Sequence, residues 1–297
     1  MRNNVKSLIL LFLAPMIWGF AFVMQCVINT ELLGSFTVNA VRFFLGAVTL
    51  LPVILIFERE PKNRDKLRKT LAYGALTGTI LFVASWLQMY GISLNKSSGK
   101  SGFLTGLYIV IVPFLGSIVY KKRVNLTEWL AAAIATVGLF LLSVTDGFGS
   151  INIGDVLVFV SAFFWAVHIL VLDRLIKDVS PVKFSCMQFF TSSVLNLIFA
   201  LIFEKITLYG IYVHRIPILY MSVISTGIGF TCQNLGQRDV DPNLASLILS
   251  LEGVFSAISG AIFLAEKMTA RGYLGCLLMF SGIILSQVGA AKKSKSA

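Results

Sequence analysis

Two ionisable side chains stand inside runs that are otherwise apolar or small. Glu252 lies within "LILSLEGVFSAISGAIFLA" (247–265), and Arg42 within "TVNAVRFFLGAVTLLPVIL" (37–55). A charge held in such a run costs several kcal/mol unless something offsets it. Ionisable groups within membrane segments are for that reason candidates for substrate or ion pathways. Two chemistries fit the pair. They neutralise one another as a structural ion pair, or Arg42 holds a substrate carboxylate while Glu252 takes an amine or a coupling proton. The amides Gln88, Gln188, Gln233 and Asn234 must also find partners in hydrocarbon, most simply by helix-to-helix bonding. Trp18, Trp86, Trp165, Tyr90 and Tyr108 offer faces for an aromatic or cationic substrate, or packing and interface anchors.

The segments that carry these residues are membrane spans. The 297-residue chain is 57% hydrophobic and only 13% charged, with a mean hydropathy of +0.85, where soluble domains run near a quarter charged. Apolar runs set against charged or Pro/Gly/Asn breaks give ten spans. They lie near 7–28, 35–57, 71–93, 98–120, 126–144, 154–172, 181–203, 215–235, 243–264 and 270–288. The first follows Arg2 and Lys6, is too long for a signal-peptide core and is read as a span without processing. No room is left for a soluble domain. The expected fold is an all-α integral membrane protein.

The net charge of +11 does not point to nucleic acid, because the lysines and arginines sit in short loops. With the N-terminus inside, cytoplasmic segments carry eighteen of them against six on the other side, so both termini are expected in the cytoplasm. The basic loop 58–69 and the basic tail set this topology; binding of anionic lipid is the alternative. Cys26, Cys186, Cys232 and Cys276 all fall in apolar segments without metal spacing, as small hydrophobes. No metal or other cofactor is expected.

The chain repeats itself. "SGFLTGLYIVIVPFLGSIVYKKRVNLTEWL" (101–130) lies over "ASLILSLEGVFSAISGAIFLAEKMTARGYL" (245–274), matching Leu107 with Leu251, Gly116 with Gly260, Ile118 with Ile262 and Leu130 with Leu274. Gly138 then meets Gly282, and Lys122-Arg123 meets Glu266-Lys267. "AVRFF" (40–44) lies over "CMQFF" (186–190), and "WLQMYG" (86–91) over "CQNLG" (232–236). Five spans per repeat is odd, so the second half inserts upside down. Residues 1–147 form the first repeat, 148–290 the second and 291–297 a basic cytoplasmic tail. An inverted 5+5 repeat places a transport site near mid-membrane where the halves meet. Four pseudo-symmetric pairs then form the candidate substrate site: Trp18 with Trp165, Arg42 with Gln188, Gln88 with Gln233, and Tyr108 with Glu252. Glu252 is also the candidate for proton coupling.

Other features read more simply. His168 is expected to be packed or interfacial, His214 solvated in a loop, and Asp155 a capping charge opening the sixth span. Gly74xxxGly78, Gly102xxxGly106 and Ser256xxxGly260 are faces for close helix packing, with a sliding surface as the alternative.

"IWGFAFV" in the first span, "VRFF" in the second and "SLEGVF" before "FLAEKMT" in the ninth make the chain resemble the EamA-type branch of the drug/metabolite transporter superfamily. The segment "TCQNLGQRDVDPNLASLILSLEGVF" is especially similar to that family's second repeat. The resemblance covers nearly the whole chain. It implies a carrier of small metabolites or toxic compounds, often outward, by alternating access. Family members handle amino acids, amines, sugars and nucleotide derivatives. One departure is visible: where the family usually reads Leu-Glu-Pro, this chain has Leu251-Glu252-Gly253. Proline would kink the ninth span. Gly253 restores the N–H, so the sequence does not require a fixed kink beside Glu252.

Two other classes compete. An intramembrane enzyme finds only a Gly-Asp in "INIGD" (151–155), without a second facing carboxylate, HExxH or GxSxG, and the chain holds two histidines. A channel or passive scaffold would be expected to show a repeated pore-lining ring, and none stands out. The reading is a non-enzymatic secondary transporter, exporting a small polar metabolite such as an amino acid or amine. Its place is a cell membrane, the inner membrane of a bacterium. It acts as a monomer or homodimer with the lipid bilayer as surroundings.

Overall fold

The computed structural model describes residues 5–57, 64–121, 124–143, 152–265 and 269–296, with backbone alone at 57, 142–143 and 287–296. All regular structure among them is helical. The order opens with α1 (Val5–Cys26), α2 (Ser35–Phe57), α3 (Arg64–Asn95), α4 (Ser98–Gly106), α5 (Tyr108–Tyr120) and α6 (Leu126–Ser143). It continues with α7 (Ile153–Leu175), α8 (Pro181–Phe203), α9 (Leu208–Val213), α10 (Arg215–Leu219), a π-helix (Tyr220–Phe230) and α11 (Thr231–Gln237). It closes with α12 (Pro242–Leu249), α13 (Glu252–Phe263) and α14 (Ala270–Ser296).

Among the described residues, eight segments are long and apolar enough to cross a bilayer, each of them at least 22 residues. Two further apolar helices, Leu126–Leu141 and Ala270–Ser286, are shorter and lie at the expected fifth and tenth positions. The chain is a multi-pass membrane protein. Helix α3 begins seven residues before the expected span, and α14 continues through most of what the sequence sets apart as a tail. Residues 58–63 of the basic loop and the Lys122-Arg123 and Glu266-Lys267 pairs lie outside the described residues.

Helix ends are fixed by side chains from distant parts of the chain. Asn152 and Asp155 form a capping box at the start of α7, and Asp155 also accepts from Lys100 Nζ at 2.6 Å and Asn95 Nδ2 at 3.2 Å. This joins the α3–α4 connection to α7. The cap that opens α2 comes from the other half of the chain. The Glu204 carboxylate accepts from the N–H groups of Phe36 and Thr37, each at 2.8 Å, and from Thr37 Oγ1 at 2.7 Å. Those are N–H groups no intrahelical partner can reach, and a carboxylate also offsets the positive end of the helix dipole. A Cβ on Gly34 would collide with the Glu204 carboxyl group, which would have to leave the cap to make room.

The helices meet along glycine seams. A Cβ on Gly91 would stand 2.6 Å from the Gly154 carbonyl, and one on Gly154 2.5 Å from the Gly91 carbonyl, so α3 and α7 touch backbone to backbone. Helices α6 and α14 do the same: a Cβ on Gly138 would lie 2.6 Å from Gly275 O, and one on Gly282 2.7 Å from Ala131 O. Gly74 and Gly78 face α8, where a Cβ on Gly78 would come 2.5 Å from Gln188 O. Contacts recur in matched sets: α2 packs on α8, α6 on α14, α1 on α13 as α5 and α4 pack on α7, and α3 on α7 as α1 packs on α11 and the π-helix.

The connection after α8 differs from a plain loop. It folds as the short helix α9, with Leu208, Tyr209 and Tyr212 exposed and Arg215 stacked 4.5 Å over the Tyr212 ring. Aromatic and basic side chains placed so are interface anchors. His214, expected in solvent, is instead buried. Its Nε2 accepts from the Asn29 N–H at 3.1 Å and its Nδ1 lies 2.9 Å from Gly210 O, which ties this connection to the end of α1.

Replacing Gly138 by Ala forces a methyl group against the α14 backbone. Overpacking of this kind costs about 1–3 kcal/mol. A lowered thermal unfolding midpoint in detergent is expected, and a midpoint equal to wild type contradicts the seam.

Candidate functional site

Both long spans that carry the paired residues Tyr108 and Glu252 are interrupted, and at aligned positions. Leu107 (φ −61°, ψ −11°) separates α4 from α5, and Ser250–Leu251 (Leu251 φ −60°, ψ −12°) separate α12 from α13. The chain tightens there into i→i+3 bonding, with Val110 N–H on Leu107 O at 3.1 Å and Gly253 N–H on Ser250 O at 3.1 Å. A fixed interruption beside Glu252 therefore exists without a proline. Gly253 has a packing reason of its own, because a Cβ there would stand 2.7 Å from Leu139 Cδ2 and 3.4 Å from Gly102 O.

Tyr108 and Glu252 are the first residues of α5 and α13, and both face one cavity between the halves. All the space between its wall atoms, open solvent included, comes to about 450 Å³, of which about 30 Å³ would take the centre of a water molecule, so the cavity is narrow in this state. From α1 come Trp18, Phe22 and Gln25, at the i, i+4, i+7 spacing of one helix face. Arg42 enters from α2, Gln88 from α3 and Thr105 from α4; Trp165 enters from α7, Ser225 and Phe230 from the π-helix and Gln233 from α11. Seven of the eight residues named from the sequence thus share this space. Gln188 does not line it; fully buried on α8, it lies beside His168.

The polar groups here are held but not saturated. Arg42 Nε donates to Thr226 Oγ1 at 3.0 Å, and its guanidinium lies 5.0 Å over the Phe43 ring. Gln88 Nε2 donates to Thr105 Oγ1 at 3.1 Å, Trp18 Nε1 to Ser225 O at 3.2 Å, and Gln233 Nε2 to Gln237 Oε1 at 3.3 Å. Seven buried atoms on the cavity wall find no hydrogen-bond partner among the described residues: Gln25 Oε1, Arg42 Nη1, Tyr108 Oη, Trp165 Nε1, Ser225 Oγ, Gln233 Oε1 and Glu252 Oε1. Arg42 and Glu252 form no ion pair with each other or with any other described residue, although both are buried. The Tyr108 hydroxyl neighbours the Glu252 carboxyl without a hydrogen bond of good geometry.

The cavity is largely enclosed: every residue that lines it except Trp18 is buried. Its lining runs from the middle of α1 to Gln25, one residue before α1 ends, a rise of about 10 Å from Trp18. Toward the α1 N-terminus an apolar cluster fills the bundle, with Leu11, Leu50, Val112, Leu244 and Ile248 all buried. Tyr120 closes against that same end, its hydroxyl donating to Leu170 O at 3.0 Å.

Phe230 is the centre of the aromatic packing. Its ring lies 4.7 Å from Trp18, 5.8 Å from Trp165 and 5.9 Å from Phe189. His168 is fully buried, edge-on to Trp165 at 5.9 Å, and packed outside the cavity. Asn234 also turns away, donating to Ser185 Oγ at 2.6 Å. Trp86 and Tyr90 stack on each other in a separate groove. The sequence reading passes over Gln25, Thr105, Ser225, Thr226 and Phe230. Gln25 shares the helix face of Trp18, and Phe230 lies one turn before Gln233, so spacing alone can reach those two. The π-helix that aims Ser225, Thr226 and Phe230 has no such signal.

The description of the EamA-like transporter family matches the chain twice, over residues 5–144 and 152–287. A curated protein of Archaeoglobus fulgidus, described as an uncharacterized transporter, is 27% identical over 277 residues, covering 93% of this chain and 83% of its own. The Bacillus subtilis uncharacterized transporter YyaM is 23% identical over 256 residues, 82% of this chain and 81% of its own. A solved crystal structure superposes with a TM-score of 0.77 over 98% of both chains at 14% identity, which establishes a shared fold.

With the native cysteines replaced, cysteines introduced at Gln25, Gln88 and Gln233 are expected to react with a water-soluble thiol reagent. One at Gln188 is expected to react at least tenfold more slowly, roughly the contrast between a wetted wall and packed interior. Equal rates at all four positions contradict the cavity as drawn.

Proposed function

This chain belongs to the EamA-like transporter family, and on that footing we propose that it is a secondary carrier working by alternating access, with the central cavity as its substrate site. The observation that carries this reading is the convergence of seven unpartnered polar atoms on one cavity that holds a guanidinium and a carboxyl group not paired with each other. Buried polar groups cost free energy unless bonded. A polar substrate that brings an acidic group to Arg42 and an amine to Glu252 satisfies them together. Trp18, Trp165 and Phe230 then cover its apolar part. An amino acid or a related amine has this chemistry.

The matched helix contacts and the paired interruptions at Leu107 and Ser250–Leu251 support an inverted repeat of five and five spans. The loop charges support cytoplasmic termini. In that orientation the apolar cluster around Leu11 lies on the cytoplasmic side of the cavity and smaller apolar clusters around Phe22 and Ile28 lie on the outer side, close to the occluded state of a carrier's cycle. Apolar packing on both sides of the site favours a carrier over a channel, and family membership favours transport over catalysis. Glu252 is the group placed to carry a coupling proton, exchanging it against substrate as the cavity changes sides. A bacterial inner membrane is the expected location.

The test is growth of cells expressing wild type or Glu252→Gln at matched membrane levels on toxic amino-acid and amine analogues, followed by flux in proteoliposomes. Wild type is expected to protect, and Glu252→Gln to lose about 10–100-fold of its flux, the worth of one charge-assisted contact. If Glu252 carries the proton, the variant keeps substrate-for-substrate exchange while losing flux driven by a pH gradient. Equal protection by both proteins removes Glu252 from the cycle.

A further inference from the structure

A second concavity lies outside the central site, between α2, α3 and α8, at the end of the bundle where α2 begins and α8 finishes. It is about 1300 Å³ counted to its open side. Six of the eleven residues that line it are aromatic. Phe36 and Trp86 stack face to face at 4.9 Å with planes 3° apart, and Trp86 and Tyr90 at 6.0 Å with planes 6° apart. Phe82 and Phe199 continue it toward mid-bundle, 5.2 Å from each other. From Tyr90 to Phe82 the wall descends about 12 Å along α3. The groove opens sideways: Tyr90 is 41% and Phe203 68% exposed, and on spans such exposure faces lipid.

One charged side chain borders this space. The Glu204 carboxylate stands at its rim, held by the three donors that open α2. Those bonds fix its position without supplying a counter-charge greater than the half charge of a helix end. Lys205, next along the chain, is exposed and makes no ion pair with it among the described residues. A fixed carboxylate above a 12 Å aromatic wall is complementary to an amphipathic molecule with a positive head and an alkyl chain. An anionic head is repelled by the same carboxylate.

We propose that this groove binds a phospholipid whose headgroup ends in an ammonium, of the phosphatidylethanolamine kind, with the ammonium beside Glu204 and one acyl chain along Phe82 and Phe199. The groove and its charge depend on the membrane placement of α2, α3 and α8, not on the transport reading.

The full chain is placed in nanodiscs containing a minor fraction of phospholipid with brominated acyl chains, which quench nearby tryptophan. The Trp86 signal is taken as the difference between wild type and Trp86→Phe. Brominated phosphatidylethanolamine is expected to quench it at a concentration roughly threefold or more below that of brominated phosphatidylglycerol, as a partly exposed ion pair would give. Brominated phosphatidylethanol, the same head without its ammonium, is expected to behave like phosphatidylglycerol; this arm needs no variant. Glu204→Gln is expected to remove the preference, and Glu252→Gln to keep it. Equal quenching by all three lipids gives the groove to bulk lipid and overturns the proposal. Preference for the anionic lipids overturns it as well, and so does a Trp86 reached by no lipid in a dimeric particle, which gives the groove to a second copy.

Discussion

The arrangement turns on a guanidinium and a carboxyl group buried in one bundle and kept from pairing. Arg42 is anchored sideways by Thr226 and by the Phe43 ring, and Glu252 is fixed as the first residue of α13. Each hold is partial: it sets direction and leaves bonding capacity pointing inward. In a low-dielectric interior such capacity is costly when unused. The surrounding helices must therefore be rigid enough to prevent the two groups from collapsing together. The aromatic block around Phe230 and the polar bonds from Trp18 and Gln88 supply that rigidity.

Rigidity around the cavity rests on seams farther out. Where α3 meets α7 and α6 meets α14, carbonyl oxygens lie where side chains would otherwise be, and only glycine fits. Lipid gives helices no hydrophobic reason to associate, so close packing and polar contacts between helices must do the work. The seams concentrate packing at the periphery and leave the centre to polar groups. The apolar cluster at the α1 N-terminal end then closes one side by ordinary side-chain burial.

The sequence made the apolar segments legible because hydrocarbon allows only helices of sufficient length, and composition records that directly. Seven of the eight singled-out residues share a cavity because a polar side chain in a span has few places to point. Gln188 meets the same pressure differently, beside a buried histidine rather than a cavity. What stays hidden is geometry that residue type does not encode. No proline marks the interruptions at Leu107 and Ser250–Leu251, and nothing in "YMSVISTGIGF" (220–230) announces a π-helix. His214 looks solvated in a string of letters; its burial depends on where the end of α1 arrives in space.

The Glu204 clasp has a consequence in time. The N–H groups of Phe36 and Thr37 are capped by a residue 168 and 167 positions later in the chain. At ribosomal speeds of about 5–20 residues per second, that partner is made roughly 10–30 s afterwards. Until then the opening turn of α2 has only water or lipid headgroups for its donors. Helix α2 therefore enters the membrane with its opening turn unfinished, and the end of α8 completes it. Assembly of the two halves is for this chain a late and mutual event, not the docking of two units already closed.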